Sequence, residues 1–239
     1  MAKGKLAGRR VVVTGASRGV GLEIVKRFLA EGAQVIGVAR NRANLAHAAR
    51  AVKNYGKAFT PLLADTGQPG TAARVATIVR RRWGALDLLI NNAAVNPGHL
   101  PFAREKVARL EDTLSINVLG PHRLTLGLLP LLRKGRHPRV VNVSSGAGSA
   151  NSVATGTSMS AYRFSKWCLN GLTRLWAAEL KGKISVIAMD PGWVKTDMGG
   201  ANAPNSVAES VAGILKLVTH LDKSLTGKFV DFRGETIPW

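Results

Sequence analysis

The sequence has one cysteine, Cys168, and no apolar run of the eighteen or so residues that a membrane helix needs. A single cysteine excludes an intrachain disulfide framework and fits a reducing compartment. The apolar run VVV near the amino terminus is too short for the core of a signal peptide. We therefore expect a cytoplasmic protein without a membrane span.

Acidic residues are also scarce, with 14 Asp and Glu against 34 Lys and Arg and a formal net charge of +20. Such a charge attracts nucleic acids, anionic membranes and phosphorylated ligands. The basic residues are scattered, however, and neither zinc-ligand spacing nor an RNA-binding aromatic motif accompanies them. A basic nucleic-acid binder is thus only the third hypothesis, and we predict no metal site and no specific nucleic-acid partner.

What the chain does contain is a regular alternation of short apolar runs and helical patterns. Seven runs are predicted strands, at 10–14, 33–39, 57–64, 86–90, 139–143, 184–189 and 228–232. Predicted helices lie near 19–31, 43–54, 69–83, 104–132, 160–181 and 205–220. Nearly continuous apolar strands separated by helices indicate βαβ units and a parallel sheet buried on both faces.

The sequence shows neither an internal repeat nor an interdomain linker. We therefore predict a single α/β domain over residues 1–239, with a Rossmann-type, doubly wound, seven-stranded parallel sheet and helices on both faces. The glycine-rich stretch 144–158 is predicted to be an active-site loop.

A glycine-rich turn, TGASRGVG at 14–21, follows the first predicted strand. Gly15, Gly19 and Gly21 would let the backbone approach a pyrophosphate, and the next helix offers N–H donors at its amino terminus. The same residues contain G-x-S-x-G, the nucleophile elbow of α/β-hydrolases, which would make Ser17 a nucleophile. An elbow normally follows several strands and this turn follows the first, so dinucleotide binding is the favoured hypothesis.

The second predicted strand ends in Ala39-Arg40, with no acid for the ribose 2′-hydroxyl of NAD. Arg40 and Arg18 offer guanidinium groups suited to a 2′-phosphate, the alternative being exposed arginines that flank helices. Asp65, after the third predicted strand, is either an acceptor for the adenine amino group or an aspartate that caps a turn. The pattern favours NADP(H) over NAD(H).

Further polar motifs stand beyond the glycine turn, namely Asn91-Asn92, Asn117, Ser144-Ser145, AYRFSK (161–166) and DPGWVKT (190–196). Asn117 falls inside a predicted helix, where asparagine is unfavourable, so its side chain is expected to hold a backbone group or a water. Tyr162 and Lys166 are four residues apart and share one helix face. Ligands of open α/β sheets bind at the carboxyl ends of the strands, where most of these motifs are predicted.

Taken in this order, TGxxxGxG, NNA, SS, YxxxK and PG resemble the motifs of the short-chain dehydrogenase/reductase family over essentially the whole chain. AYRFSK and DPGWVKTDMGG are most similar to its C-factor-like, carbonyl-reductase-like branch. The resemblance implies that Tyr162 is the catalytic acid/base, Lys166 its partner and Ser145 the hydroxyl that orients the carbonyl. It also implies that Asn117 positions a proton-relay water.

The resemblance further implies a set of cofactor contacts, and one position departs from the family pattern. The contacts are Gly15, Ser17, Arg18, Gly19, Val20, Gly21, Arg40, Asp65, Asn91, Tyr162, Lys166, Val194 and Thr196. The departure is Ala94, where the family usually has glycine after NNA; it removes no chemical group.

The implied activity is hydride transfer between NADP(H) and a small carbonyl or alcohol substrate. A free phenol has a pKa of about 10, and we expect the neighbouring Lys166 cation, together with the nicotinamide cation of the cofactor, to lower the pKa of Tyr162. The alternative from another class is a non-catalytic dinucleotide-binding signalling or regulatory protein on the same fold. All the catalytic positions are filled, which favours the enzyme.

The helix that contains Tyr162 carries more apolar residues than one core-facing stripe needs, namely Phe164, Trp167, Leu169, Leu172, Leu175 and Trp176. Together with the family resemblance, this surplus predicts a homodimer or homotetramer. The alternative is a helix buried wholly within its own domain.

Overall fold

The computed structural model describes residues 4–220 and 223–239, which build one seven-stranded sheet with helices on both faces. The strands are β1 (Arg10–Thr14), β2 (Gln34–Ala39), β3 (Phe59–Leu63), β4 (Leu88–Asn91), β5 (Arg139–Val143), β6 (Ser185–Asp190) and β7 (Phe229–Asp231). All neighbouring strands are parallel, in the order β3-β2-β1-β4-β5-β6-β7. The predicted fold class is confirmed. The strand order reverses between β1 and β4, which opens a crevice at their carboxyl ends.

The helices are α1 (Gly19–Ala30), α2 (Arg42–Ala51), α3 (Thr71–Trp83), α4 (Val107–Leu114), α5 (Gly120–Leu132), α6 (Ala150–Thr155), α7 (Ser160–Glu179) and α8 (Val207–Thr219). The single helix predicted at 104–132 is divided, because a π-helical turn, Ser115–Leu119, joins α4 to α5.

The prediction of a loop at 144–158 is incomplete. A 3₁₀ turn, Gly146–Gly148, and α6 form there, since the Ser145 and Ser149 hydroxyls accept capping hydrogen bonds from downstream backbone N–H groups.

Two hydrophobic cores lie on opposite faces of the sheet, because successive strand side chains alternate in direction. Val11 and Val13 of β1 pack in the core covered by α1 and α8. Val12 packs in the other core, which α3, α5 and α7 cover. Burial on both faces explains why the strands are continuously apolar and were recognisable in the sequence.

A buried carboxylate ties the amino ends of the central strands together. Asp87, just before β4, accepts hydrogen bonds from the Arg10 guanidinium at 2.7 Å and from the Arg136 backbone N–H at 2.6 Å. Burial alone would raise the pKa of Asp87, but these hydrogen bonds outweigh it and hold the pKa below its usual value. The contact aligns β1, β4 and β5, whose opposite ends carry the candidate site.

Among the helices of the described ranges, none is both long and apolar enough to cross a membrane.

Candidate active site

The glycine turn at 15–21 joins β1 to α1 at the crevice, and it packs so tightly that side chains do not fit. Gly15 has a φ of +65°, and a Cβ there would lie 2.8 Å from the Asn92 Nδ2. A Cβ at Gly21 would lie 2.1 Å from the Gly15 carbonyl oxygen. Asn92 holds the turn by donating from Nδ2 to the Thr14 carbonyl at 2.9 Å. Both glycines are therefore needed for the turn to close against β4.

The amino terminus of α1 fits an anionic group of a dinucleotide. Arg18 occupies the N-cap position, and its side chain makes no capping hydrogen bond. The first N–H groups of a helix have no partner within the helix and carry its positive dipole end. The donor set at Gly19, Val20 and Gly21 is thus suited to a pyrophosphate.

Two arginines stand where a 2′-phosphate is expected, and each lies near an acid. The Arg18 Nη1 is 2.6 Å from the Asp197 Oδ2, and the Arg40 Nη1 is 3.9 Å from the Asp65 Oδ2. The Arg18 and Arg40 side chains are 67% and 56% exposed. Exposed ion pairs are weak, so a phosphate can replace the carboxylates. Both guanidinium groups are therefore accessible to an anionic ligand.

Asp65 combines both roles considered for it in the sequence. Its Oδ1 accepts from the Gly67 backbone N–H at 2.9 Å, which makes it a turn aspartate. Its Oδ2 faces Arg40 at 3.9 Å. The capping role is thus observed, and a contact with adenine remains a prediction.

Asn91, the last residue of β4, turns its side chain into the protein. It is 2% exposed, and its Nδ2 donates to the Asn142 Oδ1 on β5 at 2.8 Å. Its Oδ1 has no hydrogen-bond partner within the described chain. Because the side chain faces β5, the predicted cofactor contact from Asn91 would come from its main chain.

The loop after β6 lies against the glycine turn and forms the facing wall of the crevice. Val194 is buried and bridges to Asn205, while the Thr196 hydroxyl accepts from the Gly199 N–H at 3.1 Å. A Cβ at Gly19 would lie 3.3 Å from the Thr196 methyl group. The structure thus brings Thr196 to the glycine turn, and the cofactor contacts of Val194 and Thr196 remain predictions.

Tyr162, Lys166 and Ser145 meet at the carboxyl edge of the sheet. Tyr162 and Lys166 lie one turn apart on α7, and Ser145 follows β5 and donates a hydrogen bond to the Tyr162 hydroxyl. The Lys166 Nζ lies 5.5 Å from the centroid of the Tyr162 ring and donates to the Val143 carbonyl at 2.7 Å. This arrangement sets two hydroxyls and one ammonium beside the crevice.

Lys166 alone does not lower the pKa of Tyr162 below that of a free phenol. Burial raises the pKa of Tyr162 to about 12, against an opposing hydrogen bond from Ser145 and with a further increase from the Asp190 charge. Burial also lowers the pKa of Lys166 to about 8, and Asp190 opposes that change. The reason is that loss of solvent disfavours the charged form of each group, and this effect exceeds the opposing contributions of Ser145 to Tyr162 and of Asp190 to Lys166.

Asn117 lies in the π-helical turn and anchors the loop after β4. Its Oδ1 accepts from the Val95 N–H at 2.9 Å, and its Nδ2 donates to the Val95 carbonyl and the Ser165 hydroxyl, both at 2.9 Å. Of the two partners expected for this side chain, the backbone group is the one observed. Both Nδ2 hydrogens are used, so a relay water could reach this side chain only at the second lone pair of Oδ1.

Sequence reasoning did not assign a role to Asp190, Asp197 or Ser165, which all contact or act on predicted site residues. Asp190 begins the DPG segment, and an acid at the end of an apolar strand was the available signal. The partners of Arg18 and Asn117 lie 179 and 48 residues away along the chain, and no local pattern identifies them.

Comparison with known proteins agrees with this geometry. The family model described as short chain dehydrogenase matches residues 9–206. The chain therefore belongs to the short-chain dehydrogenase/reductase family. It is 39% identical to C-signal of Myxococcus xanthus over 158 residues, which cover 65% of this chain and 94% of that protein. It is 32% identical to the short-chain dehydrogenase anuI of Penicillium roqueforti, over 92% of this chain and 93% of that one.

Solved structures place the chain in the carbonyl-reductase-like branch of the family. It is similar to an NADPH-bound carbonyl reductase from chicken fatty liver, with a TM-score of 0.90, 29% identity and coverage of 98% of this chain and 100% of that one. It is also similar to the carbonyl reductase Sniffer of D. melanogaster, with a TM-score of 0.89, 29% identity and the same coverage of 98% and 100%.

Proposed function

We propose that the protein is an NADP(H)-dependent oxidoreductase that interconverts a carbonyl compound and an alcohol. The observation that carries the proposal is the grouping of Tyr162, Ser145 and Lys166 at the strand ends beside the glycine turn. The uncapped α1 terminus and the two accessible arginines provide donors for the pyrophosphate and the 2′-phosphate of the cofactor. On this proposal, residues 1–239 form one catalytic domain.

NADPH, when bound, supplies the hydride. As negative charge develops on the carbonyl oxygen, the Tyr162 Oη–H is placed to give its proton to that oxygen, and the Ser145 hydroxyl to donate a hydrogen bond to it. The Lys166 ammonium stabilises the phenolate that remains. Burial raises the pKa of Tyr162 to about 12, so the phenol is protonated at neutral pH and has a proton to donate.

The surroundings of the site support an apolar substrate. The segments 94–102, 146–160 and 193–205 follow β4, β5 and β6 and meet at the crevice; for example, the Ser160 N–H donates to the Leu100 carbonyl at 3.3 Å. Three large apolar side chains remain exposed in these segments or directly beside them, namely Phe102, Trp193 and Met198. Exposed apolar side chains around a polar centre are typical of a binding site for an apolar ligand.

A screen for NADPH consumption over ketones, aldehydes and quinones tests the proposal. We expect oxidation of NADPH with at least one of these carbonyl classes, together with formation of the corresponding alcohol. A matched protein with Ser145→Ala should lose most of that turnover while it still binds NADPH. NADPH binding with no turnover across all the carbonyl classes would contradict the proposed reaction.

A second candidate function is signalling or regulation by a dinucleotide-binding protein on this fold. The observation that favours it is the 39% identity to a protein named C-signal, 94% of which is covered. The same screen separates the two candidates, because a signalling protein needs to bind the cofactor without turning it over.

We also propose that the protein is cytoplasmic, because a single cysteine fits a reducing compartment. We further propose that it forms a homodimer or homotetramer through α7. Leu169 and Trp176 of α7 are buried in their own subunit, whereas Trp167 and Leu175 are exposed. Leu126 of the adjacent α5 is exposed as well. A second copy of the chain that packs on these side chains would cover them.

A further inference from the structure

Asp190 is a carboxylate at the catalytic edge that the proposed reaction does not yet use. It is the last residue of β6 and is half-buried. In the register of β5 and β6, Val143 lies opposite Met189, so Asp190 lies one step beyond. The Val143 carbonyl is the acceptor of the Lys166 ammonium, at 2.7 Å. Strand pairing therefore places Asp190 within electrostatic range of the buried ammonium group, although no ion pair of 4.0 Å or less joins the two side chains.

Two backbone N–H groups donate to the Asp190 carboxylate, although burial leaves its pKa above the usual value. Its Oδ1 accepts from the Gly192 backbone N–H at 2.9 Å, and the Gly146 N–H donates to the same carboxylate. The charged or titratable groups that face it are Lys166 and Tyr162 from α7 and Asp231 from β7. Burial and Asp231 raise the pKa of Asp190, and the two amides and Lys166 act in the opposite direction.

We propose that Asp190 is a positioning residue whose carboxylate is the counter-charge of the Lys166 ammonium and keeps the Tyr162 phenol protonated. The inference rests on the proposed function, since it assigns an electrostatic role within the same site. It concerns only residues of this chain, and it extends the catalytic group from Tyr162, Lys166 and Ser145 to a strand-end acid.

The reason is the cost of burying a cation beside a neutral acceptor. Lys166 is 2% exposed, and its one hydrogen-bond partner among the described residues is a carbonyl oxygen. A carbonyl dipole offsets the desolvation of an ammonium only in part, whereas a nearby carboxylate adds a full opposite charge. The same negative charge disfavours ionisation of the neighbouring phenol. Asp190 thus favours the charge state in which Lys166 is cationic and Tyr162 is neutral, as carbonyl reduction requires.

The competing explanation is that Asp190 only shapes the Asp-Pro-Gly turn through its hydrogen bond to Gly192. Asp190→Asn separates the two explanations, because the amide oxygen still accepts from the Gly192 N–H while the charge is removed. Asp190→Ser is a second variant that keeps a short acceptor in the turn. Asp231→Asn is the matched control, since it makes the same change one strand away.

The first measurement is NADPH affinity against pH, read by cofactor fluorescence. In the parent, NADPH affinity plotted against pH should have a break, above which affinity falls, at the pH of about 8 where Lys166 loses its proton. Asp190→Asn and Asp190→Ser should move the break to lower pH by about one unit, a tenfold change in the ionisation constant. Asp231→Asn should leave the break in place. An unmoved break in folded Asp190 variants, or an equal shift in Asp231→Asn, would overturn the proposal.

The second measurement is the ¹³C NMR titration of the free protein labelled at tyrosine Cζ. The chain has two tyrosines, and the Tyr162→Phe variant identifies the Cζ signal of Tyr162. Tyr162 should titrate at a pH of about 12 in the parent and at a lower pH in the Asp190 variants. Neither measurement needs substrate turnover. If the pH break and the Tyr162 titration shift in the Asp190 variants but no carbonyl compound is turned over, only the proposed function is contradicted. If a carbonyl compound is turned over but neither shift is seen, only the role of Asp190 is contradicted.

Discussion

Cofactor preference offers a direct test of how the strand-end arginines are used. We expect the protein to prefer NADPH over NADH by at least about a hundredfold in kcat/KM. A charge-assisted hydrogen bond contributes about 1.5–3 kcal/mol. Each arginine must give up an existing ion pair to bind the phosphate, either Arg18–Asp197 or Arg40–Asp65. Because these pairs are exposed, the free energy lost with each is about 0–1 kcal/mol and is subtracted from the gain. About 3 kcal/mol remains for the two arginines, which corresponds to about two decades.

The assay compares kcat/KM for the two cofactors at physiological salt with one carbonyl substrate. The double change Ala39→Asp with Arg40→Leu should reverse the preference, because a carboxylate then accepts the ribose hydroxyl and repels the phosphate. Its kcat should stay within about tenfold of the parent, since Tyr162 is untouched.

Arg42→Leu is the matched control, because Arg42 is also an exposed arginine near the end of β2 and begins α2. It should leave the preference unchanged. Higher salt should reduce the part that comes from the +20 net charge. Equal use of NADH and NADPH by the parent would refute the assignment of Arg18 and Arg40 to the 2′-phosphate.

Three further outcomes are expected. Leu175→Glu should convert the proposed oligomer to a monomer in light scattering, because Leu175 is 72% exposed on α7. Tyr55→Glu, a change at an exposed residue between α2 and β3, should not. A parent that is already a 25.4 kDa monomer would contradict the proposed oligomer. NADPH affinity should fall as pH rises through about 8, where Lys166 loses its charge, and Lys166→Met should abolish that dependence; a flat parent profile would disprove it. Gly21→Ala should weaken NADPH binding at least about tenfold and lower the thermal stability, because its Cβ would lie 2.1 Å from the Gly15 carbonyl oxygen; unchanged calorimetry would exclude that clash.

The fold was predictable because its determinants are local. The central strands are short apolar runs buried on both faces, as Val11, Val12 and Val13 illustrate, and a helical pattern follows each of the first six strands. The glycine turn was predictable for the same reason, since a tight strand-to-helix turn excludes side chains at Gly15 and Gly21. Motif order then placed Tyr162 and Lys166 at the carboxyl edge of the sheet.

The features that sequence reasoning missed depend on contacts between distant segments. Asn117 lies in a π-helical turn, and its side chain binds the backbone of Val95, 22 residues away. The sequence pattern of a single helix indicates neither the π-helical turn nor this contact. The pKa of Tyr162 is set mainly by burial, which results from tertiary packing. In 144–158, glycine content hid the local serine caps that allow α6 to form.

Tyr162→Phe tests the central claim most directly, because it removes the phenolic proton and keeps the ring. Single-turnover and steady-state oxidation of NADPH by a carbonyl substrate should both be measured, with cofactor affinity determined on the same samples. We predict that kcat falls by at least about a hundredfold, the usual scale for loss of general acid catalysis, while NADPH affinity changes little. Turnover by Tyr162→Phe above about a tenth of the parent rate would contradict the claim that Tyr162 is the proton donor.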